Sequence, residues 1–200
     1  MAITDPITKI SDPLEQLKKW YEDAKKTSLL NPNAFMLSTV DQNGVPRSRV
    51  VLMKALRPEG IVFFTNYESQ KGRNLAHDPR CSALFFWDQL FRQVFIIGQA
   101  EKTSRAESED YWATRPRESQ LSQWISKQSE QVTSRDQLEN ELRMARDKFA
   151  NQTIPCPKHW GGYVIHPTYV EFWTGREGRL HDRITYQKVE DGWREARLYP

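Results

Sequence analysis

The chain carries almost no cysteine: Cys81 and Cys156 lie far apart, outside any Cys-x-x-Cys or histidine spacing. That pattern excludes a zinc framework and gives little ground for a disulfide, so both thiols are expected reduced, as in a cytoplasm. Long apolar runs are missing as well. None approaches the ~20 residues of a membrane-spanning helix, and no signal-peptide h-region is visible at the start, so neither membrane insertion nor secretion is expected. Net charge is small, because 29 Lys and Arg are interleaved with 26 Asp and Glu to leave +3. A dedicated nucleic-acid surface needs a stronger basic bias, whereas small anionic ligands fit this balance. The four histidines do not cluster. Gly-x-Gly-x-x-Gly, the Walker loop, His-Glu-x-x-His and Gly-x-Ser-x-Gly are all absent, which removes Rossmann and P-loop nucleotide binding, zinc hydrolysis and nucleophile-elbow catalysis. No metal site is expected.

What is present is aromatic. Seven tryptophans in 200 residues imply a core or a pocket built from large rings. That length can bury a real core, and one domain is expected over 13–200 after a flexible segment at 1–12. Asp12-Pro13 predicts a helix start with Leu14, Leu17 and Tyr21 on one face, ended by Asn31-Pro32-Asn33. Alternation then predicts strands over 35–40, 46–56, 61–65, 81–87 and 91–100, the first pair joined at Asp41-Gln42-Asn43-Gly44. A short helix capped by Ser69 interrupts them. Ser104 to Glu107 and Ser134 to Gln137 read as capping boxes of two helices, with a short helix over 119–129 between them that places Trp124 and Gln128 on one face. Strands return over 163–165, 169–173, 183–189 and 193–198. The class is mainly β with α (α+β), and the spacing favours an antiparallel barrel with peripheral helices.

Short cationic sets recur beside hydroxyls and rings. Arg49 and Lys54 bracket an apolar strand, and Ser69 with Lys71 opens a helix, where free N–H groups suit a phosphate. Tyr111 and Arg115 are four apart on one helix face, with Ser119 a turn on, past Pro116. If Gly178 to Arg183 is extended, Arg179, His181 and Arg183 share one face and form an anion site. Each set alone is more often solvated surface. Together they suggest two anionic ligands, or one ligand with two ends.

Arg49-Val50-Val51-Leu52-Met53-Lys54, Phe64-Thr65-Asn66, Ser69-x-Lys71-Gly72, Arg92-Gln93-Val94, Arg115-Pro116-x-x-Ser119-Gln120, Ser126-x-Gln128-Ser129, Trp160-Gly161-Gly162, Glu171-Phe172-Trp173 and Arg179-Leu180-His181-Asp182-Arg183 occur in unbroken order. In this the chain resembles the pyridoxamine 5'-phosphate oxidase family. The resemblance implies an FMN-binding split β-barrel, a homodimer with FMN at the subunit interface. It implies oxidation of pyridoxamine or pyridoxine 5'-phosphate to pyridoxal 5'-phosphate, with O2 reoxidising the flavin to H2O2. Cofactor contacts carry over to Arg49, Val50, Val51, Leu52, Met53, Lys54, Phe64, Thr65, Gln70, Lys71, Gln93, Gln128, Ser129, Trp173 and Arg183. The substrate phosphate falls to Lys54, Tyr111, Arg115 and Ser119. Arg179 and His181 address the pyridine ring as catalytic residues.

Two departures accompany the match. Gln70 stands where the family usually has arginine, so Gln70→Arg is expected to tighten FMN binding unless Arg73 substitutes. The N-terminus lacks the Arg-x-x-Tyr segment that in some members folds over the substrate. Trp87 and Trp160 read as core, and His77, His159 and His166 as loop or surface residues. Two rival readings fit parts of the sequence: a split-barrel flavin reductase or other FMN protein of different substrate, and a small barrel binding single-stranded nucleic acid. The compact cation sets disfavour the second, and the Tyr111, Arg115 and Ser119 set disfavours the first.

Overall fold

The computed structural model describes residues 11–200. The flexible segment expected over 1–12 lies outside them except for Ser11 and Asp12. The Asp12 side chain accepts from Leu14 N at 2.9 Å and caps α1, Pro13–Lys25, with Pro13 in the first turn. The helix ends well before Asn31. Its apolar face, Leu14, Leu17, Trp20 and Ala24, is buried against the sheet, where Trp20 meets Phe172 edge-on at 5.0 Å.

Strand β1, Ala34–Val40, pairs with β2, Pro46–Leu52, across a turn held by the Asp41 carboxylate, which accepts from Asn43 N and Val45 N. The strand expected over 46–56 is divided at Met53 and Lys54. Its first half pairs with β1, while its continuation β3, Ala55–Arg57, pairs with β4, Gly60–Asn66. Met53 N then bonds Asn33 O and Lys54 N bonds Val62 O, so neither half of the break is left unsatisfied. Helix α2, Gln70–His77, precedes β5, Arg80–Trp87, and β6, Arg92–Lys102. Helices α3, Arg105–Thr114, α4, Arg117–Ile125, and α5, Arg135–Lys148, lead to β7, Trp160–Thr174. Strands β8, Asp182–Val189, and β9, Gly192–Leu198, end the chain.

The sheet runs β2-β1-β5-β6-β7-β4-β3, with β8 and β9 branching from β7. All pairs are antiparallel. Because β2 and β3 are consecutive in the chain, the two ends of the sheet are drawn together and the sheet curls around its core. Strand β7 is the hub: its first half pairs with β4, its second with β8, and β6 follows both. The two strands expected over 163–165 and 169–173 are one strand with a bulge. Pro167 has no N–H to donate, and the register slips opposite it, between Ile97 and Gly98.

Three further expectations are corrected. Helix α4 begins directly after Pro116 and ends at Ile125, so Gln128 and Ser129 occupy a loop rather than a helix face with Trp124. Ser104 caps α3 through Glu107 N, but the Glu107 carboxylate pairs with Arg57 rather than closing a capping box. Gly178 to Arg183 is not extended. Glu177–Arg179 form a tight turn with Gly178 and Arg179 both at positive φ, which cancels the alternation on which a three-cation face depended.

One core cluster, including Leu17, Phe35, Phe63, Phe85, Ile96 and Phe172, fills the curled sheet. A second, around Trp112, Leu121, Phe149 and Trp160, seats α3 to α5 against the start of β7. There the chain requires glycine: a Cβ on Gly161 would lie 2.1 Å from the Tyr67 hydroxyl and 2.7 Å from that of Ser108. Gly161→Ala is therefore expected to destabilise the protein by about 1–3 kcal/mol, seen as a lower denaturant midpoint at unchanged m.

Candidate functional site

Where β2 parts from β4 at the Met53-Lys54 break, the sheet leaves a cleft of about 540 Å³ that α2, α3 and α4 close from the side. Arg49, Val50, Val51, Leu52 and Lys54 form one wall. Phe64 and Thr65 of β4 form another, and Lys71, Tyr111, Arg115, Ser119 and Gln128 complete it. Most of the residues anticipated for cofactor and phosphate thus converge, although they come from four separate stretches of sequence.

Among the described residues the lining holds four cations, Arg49, Lys54, Lys71 and Arg115, and no carboxylate. Lys71 Nζ donates, among the described residues, only to neutral oxygens: Thr65 Oγ1 at 3.1 Å, Ser69 Oγ at 3.1 Å and Gln128 Oε1 at 2.9 Å. Burial, and then the neighbouring Arg49 guanidinium, push its pKa down to about 8. Arg49 Nη1 donates to Thr39 Oγ1 at 2.8 Å and Leu37 O at 3.3 Å, and burial lowers its pKa too. Arg115 lies over the rings of Trp160, 4.8 Å from the centroid, and Trp112, at 5.5 Å. Its Nη2 reaches the carbonyl of Ser119 at 3.4 Å, so the turn after Pro116 brings the two together. Tyr111 stacks on Phe64 with centroids 4.0 Å apart, giving the cleft a flat aromatic side. A half-buried concavity with this donor set fits an anion with an apolar body, and a phosphorylated flavin is such a molecule.

The other anticipated residues lie elsewhere. Met53 turns into the core and is 4% exposed. Gln70 Nε2 donates to Asn74 Oδ1 at 2.8 Å and faces a separate cavity beside Arg47, Arg73 and His77. Ser129, at φ +77°, accepts from Gln70 N at 3.2 Å. Arg73 donates to Glu68 O and does not line the cleft, so it does not replace the missing arginine there. Gln93, Trp173 and Arg183 stand in register across β6, β7 and β8. His181 packs on Trp173 at 4.7 Å, and its Nδ1 accepts from Arg176 N. Arg183 forks onto buried Glu171 at 2.8 and 3.0 Å, which raises its pKa. Asp182 pairs with Arg176 and Arg197, and Arg179 is exposed. None of Gln93, Trp173, Arg179, His181 and Arg183 lines the cleft, so one chain carries the anticipated site as two separate sets.

Comparison with known proteins decides the family. The profile described as Pyridoxamine 5'-phosphate oxidase matches residues 21–148, and that described as Pyridoxine 5'-phosphate oxidase C-terminal dimerisation region matches residues 160–200. The chain belongs to the pyridoxamine 5'-phosphate oxidase family. A pyridoxine/pyridoxamine 5'-phosphate oxidase of Rubrobacter xylanophilus is 46% identical over 189 residues, 94% of this chain and 87% of that protein. Another, of Pseudomonas paraeruginosa, is 46% identical over 192 residues, 95% and 89% of the two chains. PhzG from Burkholderia lata 383, solved in complex with tetrahydrophenazine-1-carboxylic acid, superposes with a TM-score of 0.91 at 28% identity, covering 96% of this chain and 95% of that one. A pyridoxamine 5'-phosphate oxidase-related, FMN binding protein of Nostoc punctiforme gives a TM-score of 0.74 at 14% identity over 96% and 100%, a likeness of fold alone. As a member of the pyridoxamine 5'-phosphate oxidase family the protein is an oxidoreductase with the split-barrel fold. Among the described residues, no helix is long and apolar enough to cross a membrane.

Sequence reasoning missed Thr39, which accepts from Arg49 beneath the cleft, and Asn74, which donates to Thr39. The only local signal is a threonine on the otherwise apolar inward face of β1. Removing the repulsion from Arg49 is expected to raise the pKa of Lys71: in Arg49→Gln its side-chain NMR titration moves above that of the wild type.

Proposed function

We propose that the protein uses FMN to oxidise pyridoxamine or pyridoxine 5'-phosphate to pyridoxal 5'-phosphate: bound FMN would take a hydride from substrate C4' at N5 and pass the electrons to O2 to give H2O2, and with the amine water would then release the C4' nitrogen as ammonia. The observation that carries this reading is the cleft with four cations and no carboxylate. Its cations fall into groups. Arg49 is close enough to Lys71 to lower its pKa, whereas Arg115 rests apart on two tryptophans. Arg49 and Lys71, with Thr65 and Gln128, suit the phosphate of FMN. Arg115, Tyr111 and Ser119 suit the phosphate of the substrate, with Lys54 between. Val50 to Leu52 and Phe64 supply apolar walls that keep water from the flavin edge.

The second set enters with a second copy of the chain. Trp173, Arg179, His181 and Arg183 all fall in the stretch matched as a dimerisation region. Met36 and Val50, partners across β1 and β2, are exposed together with Phe86 and Ile97, an apolar face suited to a homodimer. In this reading Arg179 of a second copy covers the pyridine ring and His181 bonds a ring substituent, so FMN lies between subunits. The phosphate-binding set favours a phosphorylated pyridine over an unphosphorylated substrate such as the carboxylic acid bound by PhzG.

Purified protein should be yellow, and anaerobic pyridoxamine 5'-phosphate should bleach its flavin band. A colourless protein that FMN cannot reconstitute, or a band untouched by the amine, overturns the reading. Arg115→Ala should raise KM for the phosphorylated substrate about 10- to 100-fold while leaving the flavin bound, as steady-state rates and absorbance will show. FMN affinity should follow a bell in pH. It rises as the phosphate takes its second charge near about 6. A bound anion favours the protonated lysine, so affinity falls as free Lys71 deprotonates above about 8. Lys71→Arg should abolish the alkaline fall, measured by quenching of FMN fluorescence.

A further inference from the structure

Thr39 and Asn74 are polar side chains buried to 1% and 2% exposure at a place where the sheet is otherwise apolar. Buried polar groups persist where they are hydrogen-bonded, and these two bond each other: Asn74 Nδ2 donates to Thr39 Oγ1 at 2.9 Å. The same Oγ1 accepts from Arg49 Nη1 at 2.8 Å, and Asn74 Oδ1 accepts from Gln70 Nε2 at 2.8 Å. An unbroken line of hydrogen bonds therefore runs from helix α2, through β1, to the guanidinium on β2.

Its position has a physical purpose. Arg49 and Lys71 repel one another, and neither has a carboxylate partner among the described residues. A long cation in that setting would swing out to solvent. The backbone places Arg49 opposite Leu37, and the guanidinium reaches two residues along β1 to Thr39, which ties down Nη1 alone. Among the described residues Nε and Nη2 take no hydrogen-bond partner, which leaves them for an anion in the cleft. Because Asn74 lies one turn after Lys71 on α2, the same bonds set the spacing of the two cations.

We infer that Thr39 and Asn74, steadied by Gln70, are positioning residues that hold Arg49 at the spacing from Lys71 that a phosphate monoester requires. This rests on the reading that Arg49 and Lys71 take the FMN phosphate, and it gives Gln70 a task other than the direct phosphate contact anticipated from the family pattern.

The test compares two flavins that differ only in the phosphate. Apo-protein is titrated with FMN and with riboflavin by fluorescence quenching, while circular dichroism and thermal melting report the fold. Thr39→Val, which keeps the shape and removes the acceptor, should weaken FMN about 10-fold and leave riboflavin within about 2-fold. Thr39→Ser, which restores the hydroxyl, should recover FMN binding. FMN binding unchanged in Thr39→Val, or equal weakening of both flavins, overturns the inference, since a residue that merely docks α2 on the sheet would affect both alike. Should Thr39→Val fail to fold, Gln70→Leu at the outer end of the line must still weaken FMN selectively, and equal binding of both flavins there also overturns it. Failure of the wild-type protein to bind FMN would instead sink the cofactor assignment.

Discussion

Like charges without counter-charges are the constraint on which the rest of this structure turns. Four cations face one half-buried cleft that has no carboxylate among the described residues, and desolvation together with mutual repulsion opposes the arrangement. Neutral groups hold it in place. Threonine, serine and glutamine oxygens surround Lys71, Thr39 takes Arg49, and two indole faces receive Arg115. None of these partners cancels a full charge, so the electrostatic potential of the cleft is kept for a ligand.

The barrel supplies the rigid frame. Dividing one strand between two partners at Met53-Lys54 both draws the ends of the sheet together and opens the gap that holds the cationic cleft. The aromatic cluster behind it, with Trp160 buried against Trp112 and Phe64 stacked on Tyr111, seats α3 and α4 beside the cleft. Glycine at 161 and 162 lets β7 approach closely enough for this packing, which explains the Trp160-Gly161-Gly162 motif in terms of contact distance.

Much of this was legible in the residues. Caps at Ser69, Ser104 and Ser134 mark real helix starts, and the cationic sets around Arg49, Lys71 and Arg115 meet in one cleft. What was not legible depends on distant partners or on a single dihedral. Both halves of 46–57 are extended, so alternation could not locate the change of partner. The gap expected between strands 163–165 and 169–173 is no break, because β6 and a bulge at Pro167 carry one strand through it. Gly178 and Arg179, at positive φ, turn an apparent cationic face into a hairpin bend. Gln70 turns from the cleft because Asn74 offers it a bond, and no spacing rule connects Asn74 to Thr39, 35 residues away.

Strand β7 carries a consequence at the level of the assembly. Its early residues back the cleft, while Trp173 at its far end belongs to the second set of anticipated ligand residues, up to roughly 40 Å along the strand. In the proposed sharing of the site between two copies, each ligand draws the cleft from one chain and the Trp173 set from the other, and defects become complementary. A subunit damaged only in the cleft and one damaged only near Trp173 would each be inert alone, yet a mixed pair would contain one intact site, so rescue in trans is written into the length of a single strand.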